Sequence, residues 1–353
     1  MESVVSVKKR ELSISIIRAL AFLSIITCHV MQYYGCWLAW WFNVGVQIFL
    51  CLSGYLYGRK NINEDLKFYK YQFIKILIPY YIVTGIVIVA QLLFARSEIS
   101  LARIAKALIC YDTLSGGSHL WFIPTILFCY ALTPLFEKIN DYILEKKHPL
   151  LCCIVVFIVL SIIVRYFVSY FNFVWIACFY VGHVLGKNEV KQSINSKVCK
   201  GAIYFVTACF ILIQIIISNI LKLELNGRAK TIFAIACDFG HAFLGISILL
   251  ILLDLFRTLF NNREVPEFII KPINFLDSVS YEGYLFHQFF IFGAFSLLDK
   301  IKVSAIAVIT VFIVTFICGF LVKTANVKLK KAVDKLILKR SEKERLTSDR
   351  TIS

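Results

Sequence analysis

The sequence predicts an all-α integral membrane protein: a polytopic bundle of about ten transmembrane helices with both termini cytoplasmic. Hydrophobic residues make up 59% of the 353 residues and charged residues only 17%, whereas a soluble domain is about half apolar and a quarter charged. Apolar runs recur along the whole chain, many close to the ~20 residues with which a helix crosses a bilayer. Lys and Arg gather in short clusters between these runs. Together these observations exclude a soluble globular fold.

The apolar runs place the predicted spans in order along the chain. Helices are the default for such runs because every backbone N–H and C=O must be paired inside hydrocarbon. The first run follows a basic cluster, as a signal peptide does, but it is long and lacks a small-residue cleavage site before Gln32, so we predict a retained helix. The ten spans are predicted near 12–31, 39–58, 77–94, 119–136, 149–166, 170–186, 201–221, 231–254, 278–298 and 303–322.

The distribution of basic residues predicts the orientation. With the N-terminus inside, 28 of the 38 Lys and Arg residues fall in cytoplasmic segments and 8 in outer ones. This bias follows the positive-inside rule and favours an even number of spans with both ends inside. We predict one transmembrane domain, 1–322, and a basic cytoplasmic tail, 323–353. The tail is interpreted either as solvated or as a helix lying on anionic lipid.

Net charge and cysteine content exclude other classes of protein. The net charge of +16 sits in loops between apolar runs, which does not predict nucleic-acid binding. Most of the 12 cysteines lie inside apolar runs, with no CxxC and no Cys/His cluster at zinc spacing. We therefore interpret them as small buried hydrophobic residues and predict no metal.

Two polar residues in the first helix give the main functional signal, because charge inside a bilayer is costly. Arg18 and His29 are eleven residues apart, so they share one helix face about 16 Å apart along the axis. In the predicted orientation Arg18 lies toward the cytoplasm. A guanidinium binds phosphate well, and histidine exchanges protons near neutral pH. Such a pair suits a long ligand like coenzyme A, with phosphates at one end and a thioester at the other.

The fourth helix opens with Gly116-Gly117-Ser118-His119-Leu120-Trp121, which places a second histidine at the outer side. His119 and His29 then fall in the same leaflet by topology. The glycine pair predicts a loop that closes over an acceptor, and the alternative is an interfacial aromatic anchor. Tyr130 and Pro134 follow on the same helix, and the proline predicts a kink.

Other helices carry polar residues whose roles stay open. Ser53 and Gly54 permit close helix packing, which is the simpler interpretation of these two residues. Tyr284 and His287 are three apart and share a face of the ninth helix. Asp238 and His241 have the same spacing in the eighth helix, and they are interpreted either as a buried ion pair or as a proton relay.

These residues occur in an order that resembles the membrane-bound acyltransferase 3 family, whose members O-acetylate bacterial glycans. The resemblance covers roughly residues 10 to 322. It rests on five segments: Arg18-x10-His29; Phe49 to Leu56; His119-Leu-Trp121-Phe-Ile with Tyr130 and Pro134; Lys75-Ile-Leu-Ile-Pro79-Tyr80; and Ser280-Tyr281-x-x-Tyr284-Leu285-x-His287. The chain departs from the family pattern at Asp277, where glycine is expected, and at Glu282, where a neutral residue is expected.

The resemblance implies a ten-helix core that takes an acyl group from cytoplasmic acyl-CoA, most simply acetyl-CoA. The group is delivered to a hydroxyl of a cell-envelope or exported polysaccharide, or of its lipid-linked precursor, at a bacterial cytoplasmic membrane. Partners are then the glycan or lipid-linked saccharide acceptor and membrane lipid, without nucleic acid.

Residue roles follow from this hypothesis and from the segments above. His29 acts as general base or transient acyl carrier, and His119 orients the acceptor. The donor phosphates are held by basic residues, and the tunnel and acceptor site are lined by polar and aromatic ones. The phosphate-binding group is Arg18, Arg59, Lys70 and Lys75, and the lining group is Ser53, Trp121, Tyr130, Tyr284 and His287.

Two other functions use the same features. A glycolipid or polysaccharide transporter or flippase also carries intramembrane His, Arg and Asp, and Asp238 with His241 is the best evidence for it. The two halves of the sequence show no internal symmetry, which counts against a transporter. A membrane polymerase of glycan repeats is disfavoured by the modest outer loop 95–118.

Overall fold

The computed structural model is built from α-helices joined by short turns, which confirms the all-α class. It describes the backbone of residues 2–60, 62, 66–111, 114–167, 171–217, 225–260 and 265–351, and within these ranges no strand occurs. Side chains are described between 12 and 329, with the same gaps and also without 66–67. The helices are α1 Glu2–Tyr33, α2 Ala39–Phe42, α3 Val44–Gly58, α4 Leu66–Phe94, α5 Leu101–Leu108, α6 Phe122–Ile143, α7 Pro149–Phe167, α8 Phe173–Lys191, α9 Ser196–Ile215, α10 Gly227–Leu259, α11 Glu267–His287, α12 Leu297–Lys300 and α13 Ser304–Thr351.

In the described residues, eight segments are long and apolar enough to cross a membrane, which confirms a polytopic membrane protein. They are Leu12–Tyr33, Ala39–Gly58, Phe68–Phe94, Ser118–Ile143, Pro149–Phe167, Ser196–Ile215, Gly227–Leu259 and Ser304–Leu329. The outer surface agrees with this assignment: α7 exposes Ile154, Ile158 and Ile162 by 46–50% each, as expected for side chains that face lipid. The other two predicted spans fall on α8 and α11, so the number ten stays a prediction.

Several boundaries differ from the predicted ones. The ninth span, predicted at 278–298, is a helix from Glu267 to His287 followed by a short 3-10 turn, Gln288–Phe290. The third predicted span lies on α4, which begins at Leu66, eleven residues before the predicted start of 77. The last helix continues through the predicted tail to Thr351. Residue 170 and residues 218–221, at the ends of two predicted spans, lie outside the described residues, as do the tail's side chains beyond 329.

The chain divides into two compact units. The first comprises the described residues of Met1–Phe73 and His119–Ser278, and the second those of Ile74–Ser118 and Val279–Ser353. All twelve cysteines are free thiols, and six of them are buried, in agreement with their interpretation as small apolar side chains.

Glycines bring α3 and α8 into close contact in the first unit. Gly54 and Gly58 lie one turn apart on α3, and Gly182 and Gly186 have the same spacing on α8. A methyl group at Gly54 would overlap the carbonyl of Phe179, and one at any of the other three would overlap a carbonyl of the facing helix. Small residues at four-residue spacing let two backbones approach in this way. The sequence-based interpretation of Gly54 as a packing residue is consistent with this contact.

We expect Gly182→Ala to destabilise the protein by about 1–3 kcal/mol, because its Cβ would meet the carbonyl of Cys51 and force α3 and α8 apart. The matched control is Gly85→Ala on α4, where nothing lies within 4 Å of an added Cβ. That change should be neutral or stabilising by up to about 1 kcal/mol, because alanine favours a helix over glycine. The midpoints of detergent-solubilised variants in SDS titrations measure both. Equal midpoints for the two variants would contradict the close contact.

A ladder of charges joins the ends of α6 and α8, also in the first unit. Glu137 and Asp141 face Lys187 and Lys191: Lys187 Nζ lies 2.5 Å from Glu137 Oε1 and 3.2 Å from Asp141 Oδ1, and Lys191 Nζ lies 2.8 Å from the same Asp141 oxygen. His183, one turn before Lys187, places Nε2 3.5 Å from Glu137 Oε2. Residues four apart on each helix supply the ladder, so one face of α6 is fixed against one face of α8.

In the second unit, the segment after α4 packs through backbone carbonyls. Tyr80 and Tyr81 donate their hydroxyls to the carbonyls of Ala107 and Leu108 at 2.5 and 3.0 Å. These bonds fix the short helix α5 beside α4. Tyr281 similarly donates to the carbonyl of Ile76 at 2.8 Å and so fixes the start of this unit's part of α11.

Two glycines meet at the other end of this unit. Gly116 and Gly293 have φ values of 76° and 78°, a region that favours glycine. A Cβ added at Gly116 would overlap the Phe292 carbonyl, and one added at Gly293 would lie tightly against the backbone of Gly116. The Gly116-Gly117 segment is therefore packed against the turn after α11, and the predicted closing loop stays a prediction.

Candidate active site

Arg18 and His29 lie on one stripe of α1, toward its two ends. At about 100° and 1.5 Å per residue, positions 18, 22, 25 and 29 share a face, and the outer two are about 16 Å apart along the axis. Between them Phe22 and Ile25 are 0% and 2% exposed, whereas Arg18 and His29 are half-buried. The stripe therefore faces the interior of the first unit and carries a polar group near each end.

Arg18 is paired with a carboxylate that the sequence analysis did not assign to it. Its Nη1 lies 3.1 Å from Oδ1 of Asp277 on α11, and Ser15, one turn earlier on α1, donates its hydroxyl to Oδ2 at 2.7 Å. Within the described part of the chain, the buried Nε of Arg18 has no hydrogen-bond partner. The side chain of Arg18 is also 38% exposed, so the outer N–H donors of the guanidinium are accessible to a further anion, such as a phosphate.

Tyr130 and Ser53, both predicted to line a tunnel, lie near Arg18. Tyr130 lies within electrostatic range of Arg18, and its hydroxyl is close to those of Ser53 and Tyr57. The Tyr57 ring is 5.1 Å from that of Tyr130, and its hydroxyl donates to Gln72 at 2.5 Å. The structure therefore gathers one guanidinium and several hydroxyls near one end of the stripe, an arrangement suited to phosphate or amide groups of a ligand.

His29 has an orienting partner at the other end of the stripe. Its Nδ1 lies 2.7 Å from Oε1 of Gln32, and an amide oxygen only accepts a hydrogen bond, so Nδ1 carries the proton. In the neutral imidazole Nε2 is then the unprotonated, basic nitrogen. The partner on one ring nitrogen fixes the tautomer in which the other nitrogen accepts a proton.

His119 and Trp121 lie at the start of the fourth span, in the 3-10 turn Ser118–Trp121. His119 is buried, with 2% of its surface exposed. Trp121 stacks on Trp175 of α8 at a centroid distance of 3.5 Å and an angle of 13°. One face of the Trp121 indole is therefore covered by protein, and its predicted role in stacking on a sugar is restricted to the opposite face.

Arg59 is turned toward a different cluster from Arg18. Its Nε lies 3.8 Å from Oε1 of Glu189, and the same carboxylate accepts hydrogen bonds from Tyr55 and from Arg257 Nη2, the latter at 3.0 Å to Oε2. Burial raises the pKa of Glu189, but hydrogen bonds from Tyr55 and Arg257 and the charges of both arginines outweigh it and hold that pKa below its ordinary value. The structure thus separates Arg59 from Arg18, and its predicted contact with phosphates stays a prediction.

The remaining predicted residues are distributed over both units. Lys70 is exposed near the start of α4, in the first unit, and Lys75 is exposed in the second. Tyr284 and His287 belong to the second unit and are 5% and 0% exposed. His287 donates from Nδ1 to the Tyr284 carbonyl at 2.6 Å, which makes Nε2 the unprotonated nitrogen of a neutral ring.

His241 does not pair with Asp238. Its Nε2 donates to the carbonyl of Trp40 at 2.9 Å, and its Nδ1 accepts from the amide of Gln47 at 3.0 Å. A carbonyl acceptor and an amide donor together require a neutral ring. Asp238 is exposed and interacts electrostatically with Arg165 instead. Of the two interpretations of Asp238 and His241, the structure does not show the ion pair, and the proton relay stays a prediction.

Gln32, Asp277 and Arg257 are the site neighbours that the sequence analysis missed. Gln32 follows His29 by three residues, a spacing that indicates contact on a helix. Asp277 and Arg257 lie far along the chain from Arg18 and Arg59, and no local pattern predicts those pairings. In the described residues, no group of three or more His, Cys, Asp and Glu side chains is arranged to hold a metal ion.

The fold and the α1 stripe define a polytopic helical membrane protein with a polar site between its helices. The family model described as an acyltransferase domain, that of the acyltransferase 3 family, matches residues 11–324. The chain belongs to this family, and it is a membrane acyltransferase. Neither the curated proteins nor the solved structures gave a significant match.

Proposed function

We propose that this chain transfers an acetyl or other short acyl group from cytoplasmic acyl-CoA to a hydroxyl of a bacterial envelope or exported polysaccharide, or of its lipid-linked precursor. The observation that carries the proposal is the α1 stripe. It has a guanidinium with unused donor capacity at one end, and an imidazole with a fixed tautomer about 16 Å away. Membership of an acyltransferase family supports the reaction class.

The donor end follows from the chemistry of Arg18. A guanidinium binds phosphate through paired N–H donors and stays charged at any physiological pH. Ser53 and Tyr130, beside it, supply hydroxyls for the polar groups of the pantetheine arm. Arg59, Lys70 and Lys75 are proposed to attract the nucleotide phosphates at the cytoplasmic surface by their charge.

The transfer step follows from the tautomer of His29. Nε2 takes the proton of the acceptor hydroxyl, and the oxygen attacks the thioester carbonyl carbon. The carbon–sulfur bond then breaks, and the departing thiolate takes the proton back from the imidazolium. The products are an acyl ester and free CoA. A transient acyl-histidine remains the alternative route, in which Nε2 itself attacks the thioester.

The other predicted residues complete the acceptor side of the proposal. His119 orients the acceptor hydroxyl, and the uncovered face of Trp121 packs on a sugar ring. Tyr284 and His287 are proposed to line the path of the acyl group. The protein is proposed to act in the bacterial cytoplasmic membrane, with the acceptor at the outer side.

Membranes containing the chain should transfer label from [acetyl-¹⁴C]acetyl-CoA to the host's glycan fraction, and mild alkali should release that label as acetate. The ester formed by hydroxyl acylation is alkali-labile, which separates it from an amide. Membranes given CoA labelled in its adenine ring serve as the control, since the nucleotide is not transferred. The experiment is repeated with glycan fractions from each growth condition of the host. The proposed function is refuted if the label stays in CoA with all of them.

A further inference from the structure

We propose that Asp277 is an internal counter-ion that competes with the donor phosphate for Arg18, so that Asp277 and Ser15 set the affinity for acyl-CoA. This inference rests on the proposed function, because it assumes that Arg18 receives a phosphate of the donor. Asp277 stands at a position where the sequence resemblance implies glycine. The proposed counter-ion is therefore a feature of this chain rather than of the family pattern.

The contact between the two charges is specific, and Ser15 helps to hold it. The Oδ1 of Asp277 lies 3.1 Å from Arg18 Nη1, and Oδ2 accepts the Ser15 hydroxyl at 2.7 Å. Ser15 and Arg18 are three residues apart, so both project from the same side of α1 toward α11. The serine thus fixes the carboxylate in the position from which it reaches the guanidinium.

The pair is unequally exposed. The Arg18 side chain is 38% exposed and that of Asp277 only 14%. The guanidinium is therefore more accessible to an anion than the carboxylate is. Because a single Nη1 contact uses one of the five N–H donors of arginine, the remaining donors stay available for a phosphate. These are the donors on the exposed part of the guanidinium, because Nε itself is buried.

The consequence for donor binding is electrostatic. With Asp277 ionised, the pair has no net charge and attracts a phosphate weakly. A phosphate that binds also has to displace the carboxylate or accept its repulsion at short range. Removal of that negative charge should strengthen the binding of phosphate-bearing donors and leave phosphate-free donors unaffected.

Asp277→Asn should lower the Kd for CoA about ten-fold, because the amide keeps the shape of the carboxylate without its charge. The measurement is equilibrium binding of tritiated CoA to purified protein in detergent, beside the KM for acetyl-CoA and for phosphate-free acetyl-pantetheine. The KM should fall for acetyl-CoA alone. Asp277→Glu, which restores the charge, should return the Kd for CoA toward the wild-type value. In an Arg18→Ala background, Asp277→Asn should produce no gain.

Ser15→Ala is the second variant, and it tests the same point without creating an unpaired arginine. It removes the Ser15 hydrogen bond to the carboxylate and should lower the Kd for CoA about three-fold in a protein that elutes as wild type on size exclusion. An unchanged or raised Kd for CoA in both variants overturns the proposal, as does an equal change for acetyl-CoA and acetyl-pantetheine. Failure of the proposed function is a separate outcome: wild-type membranes then put no acetyl into glycan, whatever the variants do to CoA binding.

Discussion

His29→Ala should lower the rate of acetyl transfer by a factor of about 10²–10⁴ while the protein still folds. The variant removes Nε2, the proposed proton acceptor, and the half-buried position leaves little packing to lose. The rate is measured as alkali-labile acetate in glycan per amount of folded protein. His148→Ala is the matched control, because it removes an exposed histidine in the connection between α6 and α7 and should leave the rate unchanged.

Gln32→Ala tests the orientation of the same ring. Loss of the Gln32 acceptor, now 2.7 Å from Nδ1, leaves both tautomers accessible, so a smaller loss of rate than in His29→Ala is expected. A His29→Ala variant with the rate of wild type would show that this imidazole is not the base. His119 and His287 would then be the remaining candidates for the base.

The sequence predicted the helical class because continuous apolar runs of ~20 residues cross a bilayer as helices. It misplaced the helix on which Tyr284 and His287 lie. The apolar run from 284 to 298 favoured a span there, whereas α11 ends at His287 and a short 3-10 turn follows it. Gly293, in a left-handed conformation, lies beyond that turn. Pro272 lies in the second turn of α11, where most of the helix's backbone bonds remain unaffected.

The α1 stripe was predictable because both of its polar residues belong to one helix, where the period fixes their relative direction. Their partners were not. Asp277 lies 262 residues from Ser15, and local periodicity carries no information about a contact at such a distance. Arg59 shows the same limit: its position at the end of a span predicted a phosphate contact, but Glu189 on another helix determines where its side chain points.

Lys187→Met should destabilise the protein by about 3–5 kcal/mol, because it leaves the buried carboxylate of Glu137 without its cation. The two side chains are 9% and 5% exposed, so water does not replace the lost partner. His183 replaces that cation only in part: its Nε2 lies 3.5 Å from Oε2 of Glu137, whereas Lys187 Nζ lies 2.5 Å from Oε1. SDS titrations of the purified variants measure the free energy of unfolding.

The double variant Glu137→Gln with Lys187→Met should recover most of that loss, because no uncompensated charge then remains inside the protein. Glu145→Gln is the control on the same ladder: its side chain is 72% exposed and 2.9 Å from Lys191, and removal of such a surface pair costs about 1 kcal/mol or less. If Lys187→Met cost no more than Glu145→Gln, the contact between α6 and α8 would depend on apolar packing rather than on buried charge. Because α8 also packs through its glycines against α3, which carries Ser53 close to Tyr130, a real loss should weaken CoA binding as well as stability.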